Sequence, residues 1–531
     1  MVEYKAKNAI SPRDCHQGVV DLARELGGIA KDVTLVGGSI LNLWTNTTPK
    51  DWDLVLFGIP FPAIQTKLEA IGLPAPMVGA SFGIITTHLD DGTSVDISIP
   101  RRDNQVGKSH SDILVETDPN MTIEEEARRR DFTMNTPSMS LLSGEVFDPY
   151  GGYEDFRSGI LRMTDPVLFP QDPVRAYRAI QLFSRKLAHV PGAHVDGPTW
   201  LMLLSMVESL QWEAKERILE EWKKLLLKAP KPSVGIQMMY ELGIIERYYP
   251  NLMALWGTPQ NPEHHPEGDV SVHSLLCVDH AASLRDQIPE AKRFAFVAAA
   301  LCHDIGKPTD TITPEMIREG DPRVAERLRK MNKTDPKQVM FNAMGHATTG
   351  EPLVKEFLGR FTNHKKTLKW AGGLVREHMN PFHLREAAEA QNLPMERQVK
   401  AYRRLAGRLE KDGLTLHDLA HLSMCDACST STDWAVRKVN GGTPNWEHLS
   451  SQRLFDAAAI IEADAALQKP MVTGKDLIAA GARPGKWFGK AIELSFTAQL
   501  GEGRWESEGR VTDHAALVAI AMTLNPEGGD V

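Results

Sequence analysis

The sequence predicts an α+β protein, in which a small mixed-sheet head is followed by an all-helical remainder. Three observations carry that expectation. The apolar run Val33 to Val36 meets Gly37-Gly38, and a second run, Asp53-Leu54-Val55-Leu56-Phe57, follows after room for a short helix. Gly83 to Leu89 and Ser94 to Ile99 flank Asp90-Asp91-Gly92, a hairpin signal. Later in the chain, apolar stretches such as Phe294 to Leu301 and Phe455 to Leu467 have helical length and spacing. At 531 residues the chain exceeds what one core can serve. It divides into residues 1–145, 146–260, 261–440 and 441–531.

Hydrophobic and charged fractions of 42% and 24% describe an ordinary globular composition. No apolar run reaches the roughly eighteen residues of a membrane span, and the N-terminus lacks the apolar core of a signal peptide. Five cysteines are too few for a disulfide framework and suit a reducing cytoplasm. Cys425 and Cys428 read as small residues on a helix. A net charge of −9 argues against nucleic-acid binding over the whole surface, though a local basic groove stays open. Arg101-Arg102, Arg128-Arg129-Arg130, Lys223-Lys224 and Arg403-Arg404 could supply one.

In order, residues 15–30 carry Val19, Val20, Leu22, Ala23 and Leu26 at helical spacing. Gly37-Gly38 then allow a backbone to approach a phosphate. Asp51 and Asp53 stand two apart, so a strand sends both side chains to one face. Such a pair can hold Mg²⁺ alongside substrate phosphates, the apparatus of metal-dependent nucleotidyl transfer. A short helix is expected near 63–71. Asp96, between Val95 and Ile97, would complete a trio of carboxylates, and Pro100-Arg101-Arg102 should end its strand. Thr122 and Glu125 form a capping box. The helix it opens runs into Arg128-Arg129-Arg130-Asp131-Phe132-Thr133-Met134-Asn135, whose guanidinium forks suit triphosphate oxygens. Asp148-Pro149-Tyr150-Gly151-Gly152 is a second glycine turn. Gln171-Asp172-Pro173-Val174-Arg175 should open a helix on which Asp172 and Arg175 face the same way, with Arg178 one turn on.

Taken together, the stretch from about residue 33 to 255 resembles the class II tRNA nucleotidyltransferases (the CCA-adding enzymes) and the bacterial poly(A) polymerases. The likeness lies in Gly37-Gly38 with Asp51 and Asp53, Val95-Asp96, Arg129 to Asn135, Asp148 to Gly152 and Asp172-Pro173-Val174-Arg175. Lys215-Glu216-Arg217 and Glu241-Leu242-Gly243-Ile244-Ile245 extend it. The resemblance implies that Asp51 and Asp53 bind catalytic Mg²⁺, assisted by Asp96. It implies that Arg129, Arg130 and Asp131, with Asn135, hold ribose and triphosphate, and that Asp172 and Arg175, with Arg178, read the incoming base. CTP and ATP would be the substrates and tRNA the partner. The chain departs from the pattern twice. Leu41-Asn42 stand where Arg-Asp is usual, and Gln171 where Glu is usual.

From Glu263 a different signal begins. His273, then His303-Asp304, then Asp426 follow the ligand order of the HD phosphohydrolases, which this region resembles; His346 and His378 would complete a two-metal version. Asp433 competes with Asp426, while His264, His265 and His280 read as surface or core residues. A transition metal (Ni, Mn, Fe or Zn) or Mg²⁺ would suit the ligand set and activate water against a phosphoester. The segments would then be a transferase head (1–145), a nucleotide-selecting, RNA-binding neck (146–260), an HD domain (261–440) and a closing helical module (441–531). CCA addition is the leading expectation. A poly(A) polymerase, or an HD phosphohydrolase with a degenerate head, are the alternatives. Residues 526–531 should fray.

Overall fold

The computed structural model describes residues 5–74, 77–78, 84–105, 113–429, 449–467, 470–500 and 511–526. Two compact units result, Met1–Val375 with Ser429–Thr432, and Arg376–Cys428 with Asp433–Val531.

The first unit begins with helix α1 (Gln17–Gly27), which buries Val19, Val20, Leu22, Ala23 and Leu26 along one face. After it come β1 (Asp32–Val36), α2 (Gly38–Trp44), β2 (Asp51–Phe57) and α3 (Phe61–Ala70). The sheet adds β3 (Met77–Val78), β4 (Ile84–His88) and β5 (Ser94–Ser98). A ribbon of β6 (Arg101–Gln105) and β7 (Ile113–Thr117) leads through α4 (Ile123–Arg128) to β8 (Ser138–Ser140) and β9 (Val146–Phe147). Strand order is β3-β4-β5-β2-β1-β8-β9, with only the β2–β5 pairing parallel. The expected hairpin forms between β4 and β5 around Gly92, whose φ of +84° needs a residue without a Cβ; Gly83 lies outside the described residues. The strand that carries Asp96 ends at Ser98, before Pro100-Arg101-Arg102 as expected, and Arg101 then opens the β6–β7 ribbon.

The neck is helical: α5 (Gly152–Ser158), α6 (Arg175–Leu182), α7 (Gly197–Met206), α8 (Lys215–Lys228), α9 (Pro232–Glu241), α10 (Ile244–Tyr248) and α11 (Pro250–Met253). At its centre the Tyr177 and Tyr249 hydroxyls lie 2.8 Å apart, and Trp222 Nε1 donates to Tyr249 at 3.0 Å. The rings of Phe357 and Phe361 pack on Trp222 at centroid distances of 5.6 and 5.4 Å. Phe357 comes from the next group of helices, α12 (Val270–Leu284), α13 (Glu290–Cys302), α14 (Lys307–Asp310), α15 (Pro314–Glu319), α16 (Pro322–Met331) and α17 (His346–Gly359).

The second unit holds the helices Asn380–Ala390, Met395–Lys411, Leu416–Ser429 and Leu449–Leu467. Cys425 and Cys428 are buried on the third of these. Its closing helices, Gly474–Ala479, Trp487–Leu500 and His514–Met522, share a small core of Val472, Leu477, Ala491, Ala498 and Leu517. Residues 430–448, including Asp433, and 527–531 lie outside the described set. Among the described residues, no helix is long and apolar enough to cross a membrane.

Candidate active site

Parallel pairing of β2 with β5 sets Asp53 beside Asp96 and Asp51 beside Ser94. Paired residues point the same way, so the three carboxylates share one face of the sheet. Thr86, opposite Asp96 on β4, donates to Asp96 Oδ1 at 2.6 Å and orients it. Burial raises the Asp53 pKa; Arg130 pulls it down, and the Asp96 and Asp51 charges push it up again. A carboxylate cluster in that condition is relieved by a cation. Space for one exists, because Gly37 (φ +66°) lies over the cluster. A Cβ there would stand 3.4 Å from Arg130 Nη1 and 3.8 Å from Asp53 Oδ2. The carboxylates and glycine turn therefore fit a metal and a phosphate.

The arginine run is held in place by a residue that sequence reasoning passed over. Glu126, on α4, takes Arg129 at 2.8 Å and Arg130 at 3.0 Å. Burial alone would raise its pKa, but the two guanidinium charges hold it at about 2. The signal was available, since Glu126 precedes Arg129 and Arg130 by three and four residues, the spacing that brings side chains together at the end of a helix. Arg128 turns away to Asp165 at 2.6 Å. Asp131 is buried, accepts from Asn135 at 2.9 Å and pairs with Arg178 at 2.6 Å. Against the penalty of burial, Arg178 and Asn135 keep its carboxyl at about 2.

Asp172 and Arg175 need a correction. Helix α6 starts at Arg175, and Asp172 is extended at φ −123°, ψ 96°. Pro173 forbids the helical conformation to the residue before it, so the two are not neighbours on one helix face. Asp172 instead receives both its oxygens' bonds from Arg217 Nη2, at 2.8 and 3.0 Å. Arg175 donates to the carbonyls of Leu168 at 3.0 Å and Arg129 at 2.8 Å. Both nonetheless line the cleft that opens over Asp53 and the glycine turn, a cavity of about 860 Å³. Gly37, Gly38, Asp53 and Arg130 form the head side of this cleft; Gln171, Asp172, Arg175, Arg178, Arg185 and Lys186 form the neck side.

A second cluster lies at the ends of α12, α13 and α17. His303 Nδ1 donates to the Ala300 carbonyl at 2.9 Å, and His346 Nδ1 to the Ala343 carbonyl at 2.8 Å. His273 Nδ1 meets Glu267 Oε1 at 2.8 Å, and His265 shares that oxygen at 2.9 Å. Carbonyl and carboxylate oxygens only accept, so the His273, His303 and His346 rings each carry a proton on Nδ1 and turn Nε2 inward. His273 Nε2 and His303 Nε2 are 3.2 Å apart, and His303 and His346 Nε2 stand 3.3 and 3.1 Å from Asp304. Imidazole Nε2 atoms converging on one carboxylate, once their protons are displaced, are the donor set of a transition metal. Lys307 already balances part of the Asp304 charge at 2.7 Å. Glu267 was missed as an orienting group, though it stands six residues before His273. Asp426, on Leu416–Ser429, and His378, just after buried Glu377, belong to the second unit. Glu377 is itself paired with Arg376 and Arg408 at 3.0 and 2.9 Å.

Three family models match this chain: the poly A polymerase head domain over residues 33–162, the probable RNA and SrmB-binding site of polymerase A over 194–255, and the HD domain over 270–406. Residues 33–162 are thus similar to the poly A polymerase head domain. A multifunctional CCA protein of Xanthomonas campestris pv. campestris (strain B100) is 34% identical over 277 residues, 52% of this chain. That match spans 63% of the relative, just under two thirds of its length. One from Stenotrophomonas maltophilia (strain R551-3) is 29% identical over 376 residues, 70% of this chain and 82% of the relative. A solved apo CCA-adding enzyme aligns over 96% of this chain and 97% of its own, with a TM-score of 0.54 at 17% identity, a likeness of fold. Head and HD domains of these families are metal-dependent, in keeping with the two donor sets.

Proposed function

We propose that the protein adds C and A to the 3′ end of tRNA from CTP and ATP, without a nucleic-acid template. The observation that carries this reading is the cleft, which joins Asp53 and the glycine turn of the head to Asp172 and Arg175 of the neck, with Asp51 and Asp96 on the same face of the sheet as Asp53. The relatives described as multifunctional CCA proteins support it. Asp51, Asp53 and Asp96 would hold Mg²⁺, which when bound lowers the pKa of the primer 3′-hydroxyl and neutralises the developing charge on the triphosphate. Arg129 and Arg130, fixed by Glu126, would steady triphosphate oxygens without reorganising. Asp131 and Asn135 would position the ribose. Asp172 and Arg175 present an acceptor and donors that match the pairing edges of C and A, and their backbone and Arg217 bonds hold them still. A base leaving those groups unpaired in the cleft would be rejected.

Gln171 favours a second reading. It lines the cleft next to Asp172 with a neutral side chain, which leaves A-only addition by a poly(A) polymerase as the alternative. The HD cluster would act as a phosphohydrolase on a phosphoester, with His273, His303, Asp304 and His346 as ligands. For Asp426 and His378 the assignment rests on sequence order. The partition at residues 145, 260 and 440 is likewise a proposal.

The test uses tRNA transcripts ending before CCA, after the first C and after both, each with one of the four NTPs and Mg²⁺. C should enter the first two and A only the third, and Asp51→Ala should abolish every addition while leaving phosphoester hydrolysis. Addition of A to all three transcripts would establish the poly(A) reading; hydrolysis alone would establish the phosphohydrolase.

A further inference from the structure

Most cations around the cleft are already answered by carboxylates. Arg129 and Arg130 meet Glu126, Arg178 meets Asp131, and Lys224 meets Glu221 at 2.7 Å. Lys186 differs. Its ammonium lines the same cleft as Gly37, Gly38 and Asp53, and among the described residues its hydrogen-bond partner is the neutral amide oxygen of Asn42, at 3.0 Å. Beside it Arg185 donates to another neutral oxygen, Gln181 Oε1, at 2.7 Å. Burial, Arg185 and Lys228 together lower the Lys186 pKa. A half-buried positive charge with a neutral acceptor and cationic neighbours is electrostatically incomplete.

The backbone shows how this charge comes to lie there. Residues Phe183–Leu187 form a π-helical turn that continues α6, closed by Ala188 N–H donating to the Phe183 carbonyl five residues back at 2.9 Å. Such a turn shifts the register of the side chains that follow, and recurs at functional sites. On the head side, Leu41 is 1% exposed and offers only methyl groups where the helix after the glycine turn borders the cleft. Asn42, one position on, receives the ammonium from the neck.

We propose that Lys186, presented by the π-turn and parked on Asn42, is a binding residue for the polyphosphate of the incoming nucleoside triphosphate, supplying from the neck the cation that Leu41 cannot supply from the head. This rests on the nucleotidyl-transfer reading of the cleft. An amide oxygen holds the ammonium in place without neutralising it, so the charge transfers to a phosphate oxygen by a short movement of one flexible side chain.

The test is equilibrium binding of CTP and of CMP to the full chain with Mg²⁺ and without RNA, together with binding of a tRNA lacking its 3′ end. Lys186→Ala should weaken CTP roughly ten- to hundredfold, the range of a charge-assisted hydrogen bond. It should leave CMP and tRNA within about twofold, and Lys186→Arg should recover part of the loss. Asn42→Asp keeps the lysine but gives it a carboxylate, and should weaken CTP in the same selective way. That second variant decides the matter if Lys186→Ala does not fold. Equal losses for CTP and CMP, or unchanged CTP affinity, would overturn the assignment. A loss confined to tRNA would make Lys186 a contact to the primer backbone instead. If the unmutated protein does not bind CTP more tightly than CMP, the transfer reading itself fails, a result separable from failure of Lys186 alone.

Discussion

Glu126 shows how one residue sets the character of the cleft. Its buried carboxylate holds two guanidinium groups at the cleft, Arg130 beside the glycine turn, and they in turn hold its pKa at about 2 against an ordinary value of 4.5. The folded pKa is the depressed one, so the stabilisation is fully present above about pH 4.5 and is lost as pH falls toward 2. Glu126→Gln removes the charge and leaves two cations facing one amide. We expect it to lower stability at pH 7 by about 3 kcal/mol, the order found when one partner of a buried ion pair is deleted. The gap to the unmutated protein should close as pH drops below about 4.5. Urea denaturation of both proteins at a series of pH values reads this directly. A difference independent of pH would mean that packing, rather than charge, is what Glu126 supplies.

At the scale of elements, close approach of backbones decides the second site. Gly306 has φ −84°, which any residue can adopt, but a Cβ built on it would sit 2.1 Å from the His346 carbonyl oxygen and 2.9 Å from Gly350 N. The glycine is needed for space, because α17 starts at His346 against the segment that carries His303 and Asp304. Gly306→Ala should displace α17 and reduce phosphoester hydrolysis by at least about tenfold, with nucleotide incorporation nearly unchanged; assaying both activities on one preparation checks it. The sequence shows this scale unevenly. The α1 face, the Thr122 capping box and the β4–β5 turn are local patterns of apolar spacing, capping and glycine placement, and they were legible. So was the shared face of Asp51 and Asp53. The side-by-side placement of Asp53 and Asp96 depends on a parallel register between β2 and β5, which no local pattern encodes. The start of α6 was misread although Pro173 announces it. The π-turn and the Asn42–Lys186 bond are tertiary outcomes with no local signature.

For the whole molecule, net charge and local charge point in opposite directions. The chain carries −9 overall, yet its cleft is lined by Arg101, Arg102, Arg129, Arg130, Arg185 and Lys186. An acidic body repels RNA at a distance, while a concentrated cationic cleft draws in phosphates at close range and limits binding to that face. Binding of a tRNA should therefore be strongly salt-dependent in spite of the overall acidity. With about four phosphates neutralised at a single-stranded 3′ end, the logarithmic salt slope is about −3, and affinity falls roughly fiftyfold between about 50 and 200 mM salt. Hydrolysis of a small phosphoester depends on one anion meeting a compact histidine cluster and should change far less over the same range. Measuring both across one salt series separates the two surfaces. A flat salt response for tRNA would mean that the cleft cations, already answered by Glu126, Asp131 and Glu221, have no charge left to offer RNA, and would move the nucleic-acid interface elsewhere on the chain.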